Sequence, residues 1–367
     1  MSIFAPLTQS GEAKRAMVAM SGGVDSSVAA YLIKSAGFDT IGVTMKLYSN
    51  EMICDKSNTC CSLDDVEDAR RVANKLGIKY YVFNFEDDFE NEVIKRFVKS
   101  YEDGRTPNPC IDCNRYIKFK RLFQRGKELG QDYIVTGHYV RVSFDEGSGR
   151  YLLKKSADNK KDQSYVLYSM TQDQLAHALF PLGEMTKDEA REIAELQGFV
   201  NAKKHDSQDI CFVPDKDYGG FIKRYTGREY PEGEFVDFDG NVLGHHKGLI
   251  NYTIGQRKGL ALALKKPMYV IKKDLEQNKV ILGDNDDLFT REFCADSVNW
   301  IACDTPKHEL KLNVKVRYSQ GEFPALVVPL GEDKIKVIFD EPQRAITSGQ
   351  AAVMYDGDTV VGGGTII

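Results

Sequence analysis

Three stretches of this sequence carry residue types and spacings that can do chemistry. The first is Ala19-Met20-Ser21-Gly22-Gly23-Val24-Asp25-Ser26-Ser27, lying between a short apolar run and a helical pattern. Backbone N–H groups and the positive end of a helix dipole can hold phosphate there, and glycine lets the backbone come close. Ser21, Ser26 and Ser27 can donate further hydrogen bonds, but no lysine stands where a Walker A loop needs one. A glycine-rich turn with no ligand is the plainer reading of such a pattern. The second stretch, Arg105-Thr106-Pro107-Asn108-Pro109-Cys110-Ile111-Asp112-Cys113-Asn114, is a proline-stiffened loop opening onto a helix. It sets Cys113 near a helix N-terminus, where the dipole and the basic residues that follow favour a nucleophilic thiolate. The third, Asp206-Ser207-Gln208-Asp209-Ile210-Cys211-Phe212, puts another cysteine in a polar loop. Cys110 and Cys113 alone are also compatible with a structural zinc site or with no ligand at all, although zinc wants a fourth ligand that the sequence does not identify.

These residues need elements to position them. Ala16 to Met20 reads as a strand, and SSVAAYLIKSAG after the glycine loop as a helix ending at Gly37. Thr40 to Leu47 reads as a second strand, then SLDDVEDARRVANKLG as a helix with Ser62 and Asp65 as a capping box and Gly77 as its stop, then a strand from Lys79 to Phe85. Further helices are expected near Phe89 to Tyr101, near Asn114 to Leu129, from about Lys160 and from Thr186, with a strand at Tyr133 to Thr136. Strands alternating with such helices predict a doubly wound parallel α/β sheet. After about Phe212 glycine, proline and aromatic residues become frequent, and short alternating segments from about Asn285 predict an antiparallel sheet or barrel. The expected organisation is a disordered leader at 1–14, a nucleotide-binding domain at 15–212, a small central domain at 213–284 and a β-barrel at 285–367.

The bulk properties narrow the class. The chain has 367 residues, 42% of them apolar, with no run long enough to span a membrane and no signal-peptide pattern. Eight cysteines without a secretory signal point to a reducing, cytoplasmic setting in which thiols are available for chemistry. Cys54, Cys60 and Cys61 precede a helix, and Cys294 and Cys303 flank Trp300; all five read as incidental or packing residues. The net charge of −5 gives no global attraction to nucleic acid, so local clusters must carry any such claim. Between Arg115 and Lys127 six basic side chains occur without an acid, interleaved with Tyr116, Phe119 and Phe123. A solvated amphipathic helix is the usual reading of such a run, but its place beside Cys113 favours contact with phosphates.

The SGGVDS loop resembles that of the ATP pyrophosphatase (PP-loop) superfamily, whose members cleave ATP between the α and β phosphates and adenylate their substrate. A wider set of motifs, SGGVDSS, TPNPCxxCN followed by IKF, GHY, KDQSY, SQDICF, YTIGQRKGL and FDEPQRAITSGQ, falls in the order seen in tRNA-specific 2-thiouridylases and covers nearly the whole chain. The resemblance implies ATP with Mg²⁺ at Ala19 to Ser26, with Asp25 orienting Mg²⁺ or a loop amide, Met45 beside the adenine and Gly137 bordering the nucleotide. It implies Cys113 as nucleophile, and Cys211 as persulfide carrier or as resolving partner through a transient disulfide. Asn108, Pro109 and Cys110 would approach the target base, the wobble uridine of the tRNAs for lysine, glutamate and glutamine. Contacts to tRNA are implied for His138, Lys161, Asp162, Gln163, Arg317, Tyr318 and Gln350. The sulfur would come from a donor protein, a cysteine desulfurase or a relay protein. Many family members carry aspartate where this chain has Cys110, so a [4Fe–4S] cluster on Cys110, Cys113 and Cys211 is a second expectation. Rival readings are an amide- or amidine-forming synthetase of the same superfamily and a non-catalytic RNA-binding protein.

Overall fold

Ala16, Met17 and Val18 have no exposed surface, a continuous apolar run that only a strand covered on both faces can hide. They form the heart of β1 (Arg15–Ala19), the central strand of a five-stranded parallel sheet. This computed structural model describes residues 11–49, 63–205, 210–264 and 266–367. Around β1 the sheet contains β2 (Asp39–Lys46), β3 (Lys79–Asn84), β4 (Tyr133–Val135) and, at one edge, β7 (Ala178–Leu179), in the order β3-β2-β1-β4-β7.

One face is covered by α1 (Val24–Ser35), α2 (Leu63–Leu76) and α5 (Lys187–Leu196), which bury Val28, Ala29, Ile33, Ala69, Val72, Ala190 and Ala194 against it. Crossovers on both faces are what parallel pairing requires, and the expected doubly wound sheet is the one found. The other face is closed by a continuous helix, α4 (109–128), whose Leu122 and Phe123 pack on Met17, Val43 and Ile134. Before it runs α3 (86–102), longer than the pattern suggested; both helices carry a π-helical stretch, at Glu90–Ile94 and Cys113–Leu122. Thr186 and Glu189 make the expected capping box of α5, and α2 stops at Gly77 with φ +66°. The Ser62 half of the other capping box, and Cys54, Cys60 and Cys61, lie outside the described residues. In place of a full helix from Lys160 there is one 3₁₀ turn, Ser164–Leu167.

After α6 (Tyr218–Thr226) the middle part folds as a four-stranded sheet of β8 (Gly233–Val236), β9 (Val242–His246), β10 (Tyr269–Asp274) and β11 (Lys279–Gly283) around Phe235, Val270, Val280 and Leu282. The last part is a closed six-stranded barrel. β12 (Phe289–Trp300), β15 (Ile335–Arg344), β14 (Phe323–Pro329), β13 (Leu310–Lys315), β16 (Ala351–Asp356) and β17 (Thr359–Ile366) follow one another, and β12 pairs back onto β17. Closure leaves the six barrel strands without a free edge and buries Val314, Val327, Val337, Phe339 and Met354.

The edge strand β7 and a hairpin were not anticipated. The segment VRVSFDEGSGRYLLKK forms a hairpin, β5 (Val140–Asp145) and β6 (Arg150–Lys155), that lies in the nucleotide-binding half of the sequence yet pairs with β17 at Lys154 and Thr359. Lys155 meets Glu322 at 2.7 Å and the Tyr355 ring at 4.6 Å, and Arg141 meets Asp358 at 2.9 Å, so the seam is stitched by charge as well as by the ladder.

Candidate nucleotide and thiol site

In a parallel sheet of this kind, ligands bind at the carboxyl ends of the strands where the strand order reverses, here between β1 and β4. Both loops at that point are built for close approach. Ala19 ends β1, and the buried Met20 is fixed by its N–H to Val43 and by the Thr44 hydroxyl, which donates to its carbonyl at 2.6 Å. Gly22 adopts φ +76°, and a Cβ there would sit 2.3 Å from the Asp65 carbonyl of α2. Gly137, just past β4, abuts the first turn of α1; its Cβ would lie 2.8 Å from the Asp25 carbonyl carbon and 2.9 Å from the Ser26 nitrogen.

Gly23 is the extended N-cap residue of α1, and no side chain caps the helix. The hydroxyls expected to reach a ligand instead shape the turn: Ser26 and Ser27 each donate to the Gly23 carbonyl at 3.0 Å, and the Ser21 N–H donates to Ser26 Oγ at 3.1 Å. Asn201 donates to the Gly22 carbonyl and to Ser27 Oγ, both at 2.9 Å. Lys204 ties the loop to Asp65 and, at 2.9 Å, to Asp68. The result is a rigid helix N-terminus with uncapped amides beginning at the buried Val24, a geometry that fits phosphate.

The Asp25 carboxylate is engaged within the chain. Lys187 Nζ lies 2.7 and 2.9 Å from its two oxygens, and the Tyr139 hydroxyl donates to Oδ1 at 2.7 Å. Sequence reasoning missed Lys187, Tyr139 and Asn201. For Lys187 a signal existed: a lysine at the first position of a helix opposes the helix dipole unless an anion holds it. Met45, partly buried, packs against the aromatic cluster below and against Val43 and Phe123, as a core residue does.

Two of the three site cysteines pack against one hydrophobic cluster. Asn108 caps α4 by accepting from the Cys110 N–H at 3.2 Å, and Pro109 fills the first helical position, so Cys113 lies in the second turn. Cys113 and Cys211, far apart in sequence, both pack on the cluster of Tyr48, Phe89, Phe97, Ile117, Phe212 and Phe221. Phe212 is the anchor beside Cys211, with ring centroids 5.2 Å from Phe97, 5.7 Å from Phe89 and 5.2 Å from Phe221. The Tyr48 hydroxyl donates to the Cys211 carbonyl at 3.0 Å, fixing that residue just past the end of β2. Asp112, between the cysteine pair, has its carboxyl pushed up to about 6 by burial, against the pull of Arg115 and Arg96. Cys110 is exposed on the barrel side: burial raises the Tyr318 phenol, and the charges of Asp162 and Cys110 add to it. Among the described residues no three His, Cys, Asp or Glu side chains are grouped to hold a metal ion, and Cys110 is exposed while Cys113 and Cys211 are partly buried.

The expected RNA contacts divide into packed and presented residues. His138 is 8% exposed, wedged between Phe119 and Phe180 with Nδ1 2.7 Å from the Thr136 hydroxyl, and burial and Lys118 hold its pKa well below the usual value. The ring is hydrogen-bonded at the end of β4 and turned from solvent. Asp162 accepts from the Ser156 N–H at 3.1 Å and the Ser164 hydroxyl at 2.7 Å, and Gln163 accepts from the Tyr139 N–H at 2.9 Å, so this turn braces the nucleotide site. Lys161 beside them is partly exposed. Arg317 donates to the Ile254 carbonyl at 3.0 Å and to Thr347, joining middle sheet and barrel. Gln350 donates to the Thr106 carbonyl at 2.7 Å, and the Thr106 N–H donates to Ser348 at 2.9 Å, so the barrel grips the loop that leads to Cys110. Tyr318 is exposed, with Lys315 5.6 Å over its ring. Of the α4 cations, Arg121, Arg125 and Lys127 are in ion pairs with Asp88, Glu128 and Asp173, while Lys120 is exposed over Tyr116. No helix among the described residues is long and apolar enough to cross a membrane.

A parallel sheet with a phosphate-cradling turn at its switch point, joined to a small sheet and a closed barrel, defines a PP-loop type of α/β protein. Family comparisons agree in all three parts. Residues 14–215 match the family described as tRNA methyl transferase HUP domain, 219–284 its PRC-barrel domain, and 290–366 the aminomethyltransferase beta-barrel domain. The chain is 53% identical to the tRNA-specific 2-thiouridylase MnmA of Clostridioides difficile, over 96% of this chain and 98% of that one. It is 51% identical to the protein of that name from Acetivibrio thermocellus, over 96% and 99%, and 50% identical to that of Clostridium acetobutylicum, over 96% and 99%. The chain belongs to the tRNA-specific 2-thiouridylase family.

Proposed function

We propose that this chain spends ATP to activate the wobble uridine of tRNA and replaces the uracil 2-oxygen with sulfur carried on cysteine. Two observations support the reading: Cys113 and Cys211 pack against one aromatic cluster, and the N-terminus of α1 after β1 is left uncapped by any side chain. The α1 amides bind the triphosphate with its Mg²⁺, and the uridine, flipped from the anticodon, attacks the α phosphate through O2, releasing pyrophosphate. The terminal sulfur of a Cys211 persulfide then bonds to C2. Cys113 thiolate attacks Cys211 Sγ, the persulfide S–S bond breaks toward the uracil, and AMP leaves with the former 2-oxygen. Cys113 and Cys211 end as a disulfide, which an external dithiol must reduce before the next turnover.

Recognition of tRNA falls to Lys120 and its neighbours on α4, to Lys161, and to Tyr318 and Lys315 on the barrel, with the surface ion pairs of α4 weak enough to exchange for phosphates. A donor protein loads the persulfide. Methyl transfer, the activity in the family descriptions, would not call for the phosphate turn, since a donor such as S-adenosylmethionine carries no phosphate.

The test is thiolation of an unmodified tRNA transcript with ATP and a cysteine desulfurase supplying persulfide, read as retardation on a mercury gel. Cys113→Ser and Cys211→Ser are expected to keep ATP binding and to give no thiolated product. Retained thiolation in both variants, or AMP release that tRNA does not stimulate, would count against the reading.

A further inference from the structure

The pairing of Lys187 with Asp25 is not needed to hold α1 to the sheet, because Val28, Ala29, Ile33 and the Asn201 bonds already do so. Its cost is high: Lys187 is only 6% exposed, and an ammonium is not buried without a specific partner. Its location explains it. Asp25 is the second residue of α1, so its carboxylate lies in the same first turn whose amides face the phosphate site. An uncompensated anion there uses up the positive field of the helix end and repels an incoming triphosphate. Lys187 reaches both carboxylate oxygens, at 2.7 and 2.9 Å, and Tyr139 holds Oδ1 from the strand side, so three hydrogen bonds turn the charge inward.

We propose that Lys187 is a positioning residue for the nucleotide step, which neutralises Asp25 and fixes its carboxylate so that the α1 N-terminus keeps its positive field for ATP. The inference rests on the ATP reading above. It differs from a direct contact of Lys187 with phosphate and from a role of Asp25 as a Mg²⁺ ligand, and the double variant separates these.

MgATP binding to the full-length chain is measured by calorimetry, with thermal unfolding as the check on folding and AMP release with tRNA as the kinetic readout. Lys187→Met is expected to weaken ATP binding by about 10- to 100-fold, the effect of one unit charge a few ångströms from an anion at an effective dielectric of about 20 to 40. Its KM for ATP rises while kcat at saturating ATP changes little. Adding Asp25→Asn to Lys187→Met is expected to recover at least about tenfold of the lost affinity, because the repelling charge is gone. Lys187→Arg, whose fork can meet both oxygens, is expected to bind ATP more tightly than Lys187→Met, and it replaces that variant in the comparison if the methionine protein does not fold: a folded Lys187→Arg that loses more than about tenfold overturns the proposal. So does a double variant that binds no better than Lys187→Met. Failure of the wild-type chain to bind ATP overturns the nucleotide reading itself, whereas wild-type binding with undiminished Lys187→Met binding overturns the lysine's role alone.

Discussion

Adding one methyl group to Gly137 tests the geometry of the nucleotide site more sharply than removing a reactive side chain. The new Cβ would lie 2.8 Å from the carbonyl carbon of Asp25, 2.9 Å from the nitrogen of Ser26 and 3.0 Å from the Asp25 Cβ, all atoms of the α1 first turn that cannot swing aside. Overpacking against a well-packed neighbour costs about 1–3 kcal/mol. The easiest relief is to push the first turn of α1 outward, so the strain must be repaid whenever ATP draws the amides back. At 1.4 kcal/mol per tenfold, Gly137→Ala should weaken ATP binding by about 5- to 150-fold. Calorimetric titration with MgATP reads this directly. Gly147→Ala is the control: it lies in the β5–β6 turn, and its Cβ would touch only the Asp145 carboxylate at 3.7 and 3.8 Å, so it should change neither binding nor stability. A folded Gly137→Ala protein with ATP affinity within twofold of wild type would refute the argument that Gly137 sets the turn.

Two further predictions concern the thiol side. Phe212→Ala removes a fully buried ring from the cluster shared by Cys113 and Cys211, and should lower unfolding free energy by about 3–5 kcal/mol in urea titration; a loss under about 1 kcal/mol would mean the cluster does not hold Cys211 in place. Asp112 has a folded-state carboxyl raised from 3.8 to about 6, chiefly by burial, so the fold prefers the protonated form. Its favourable contribution is complete below about pH 4 and is lost as pH rises through about 6, a difference of at most about 3 kcal/mol. Asp112→Asn should therefore be more stable than wild type at pH 8 and lose that advantage toward pH 4, as followed by thermal unfolding across that range; an advantage independent of pH would exclude titration of Asp112 as its source.

The parts legible in the sequence were those set by local rules. Glycines between an apolar run and a helix, and Thr186 with Glu189 three residues on, each depend on a few neighbouring residues, whereas α4 begins at Pro109, five residues before the expected start. What stayed hidden depends on contacts between distant residues. Asp25 reads as a ligand-facing acid until α5 brings Lys187 to it, and His138, expected to touch RNA, is covered by Phe119 and Phe180. Arg317 and Gln350 look like barrel surface in sequence, but the assembled chain turns them onto Ile254 and Thr106. The β5–β6 hairpin escaped notice because its alternating pattern sits where an α/β rhythm was already established, and its partner strand lies at the other end of the chain.

That hairpin also sets a timetable for synthesis. β6 is made about 200 residues before β17, its neighbour in the ladder, which at roughly 5–20 residues per second is a wait of about 10–40 s. Throughout that interval Val140, Leu153 and Tyr165 lack the Val353, Tyr355 and Val360 surface that covers them in the finished protein. The ribosome therefore presents a half-built molecule with a bare apolar flank, and the last eight-residue strand to emerge is the one that seals it.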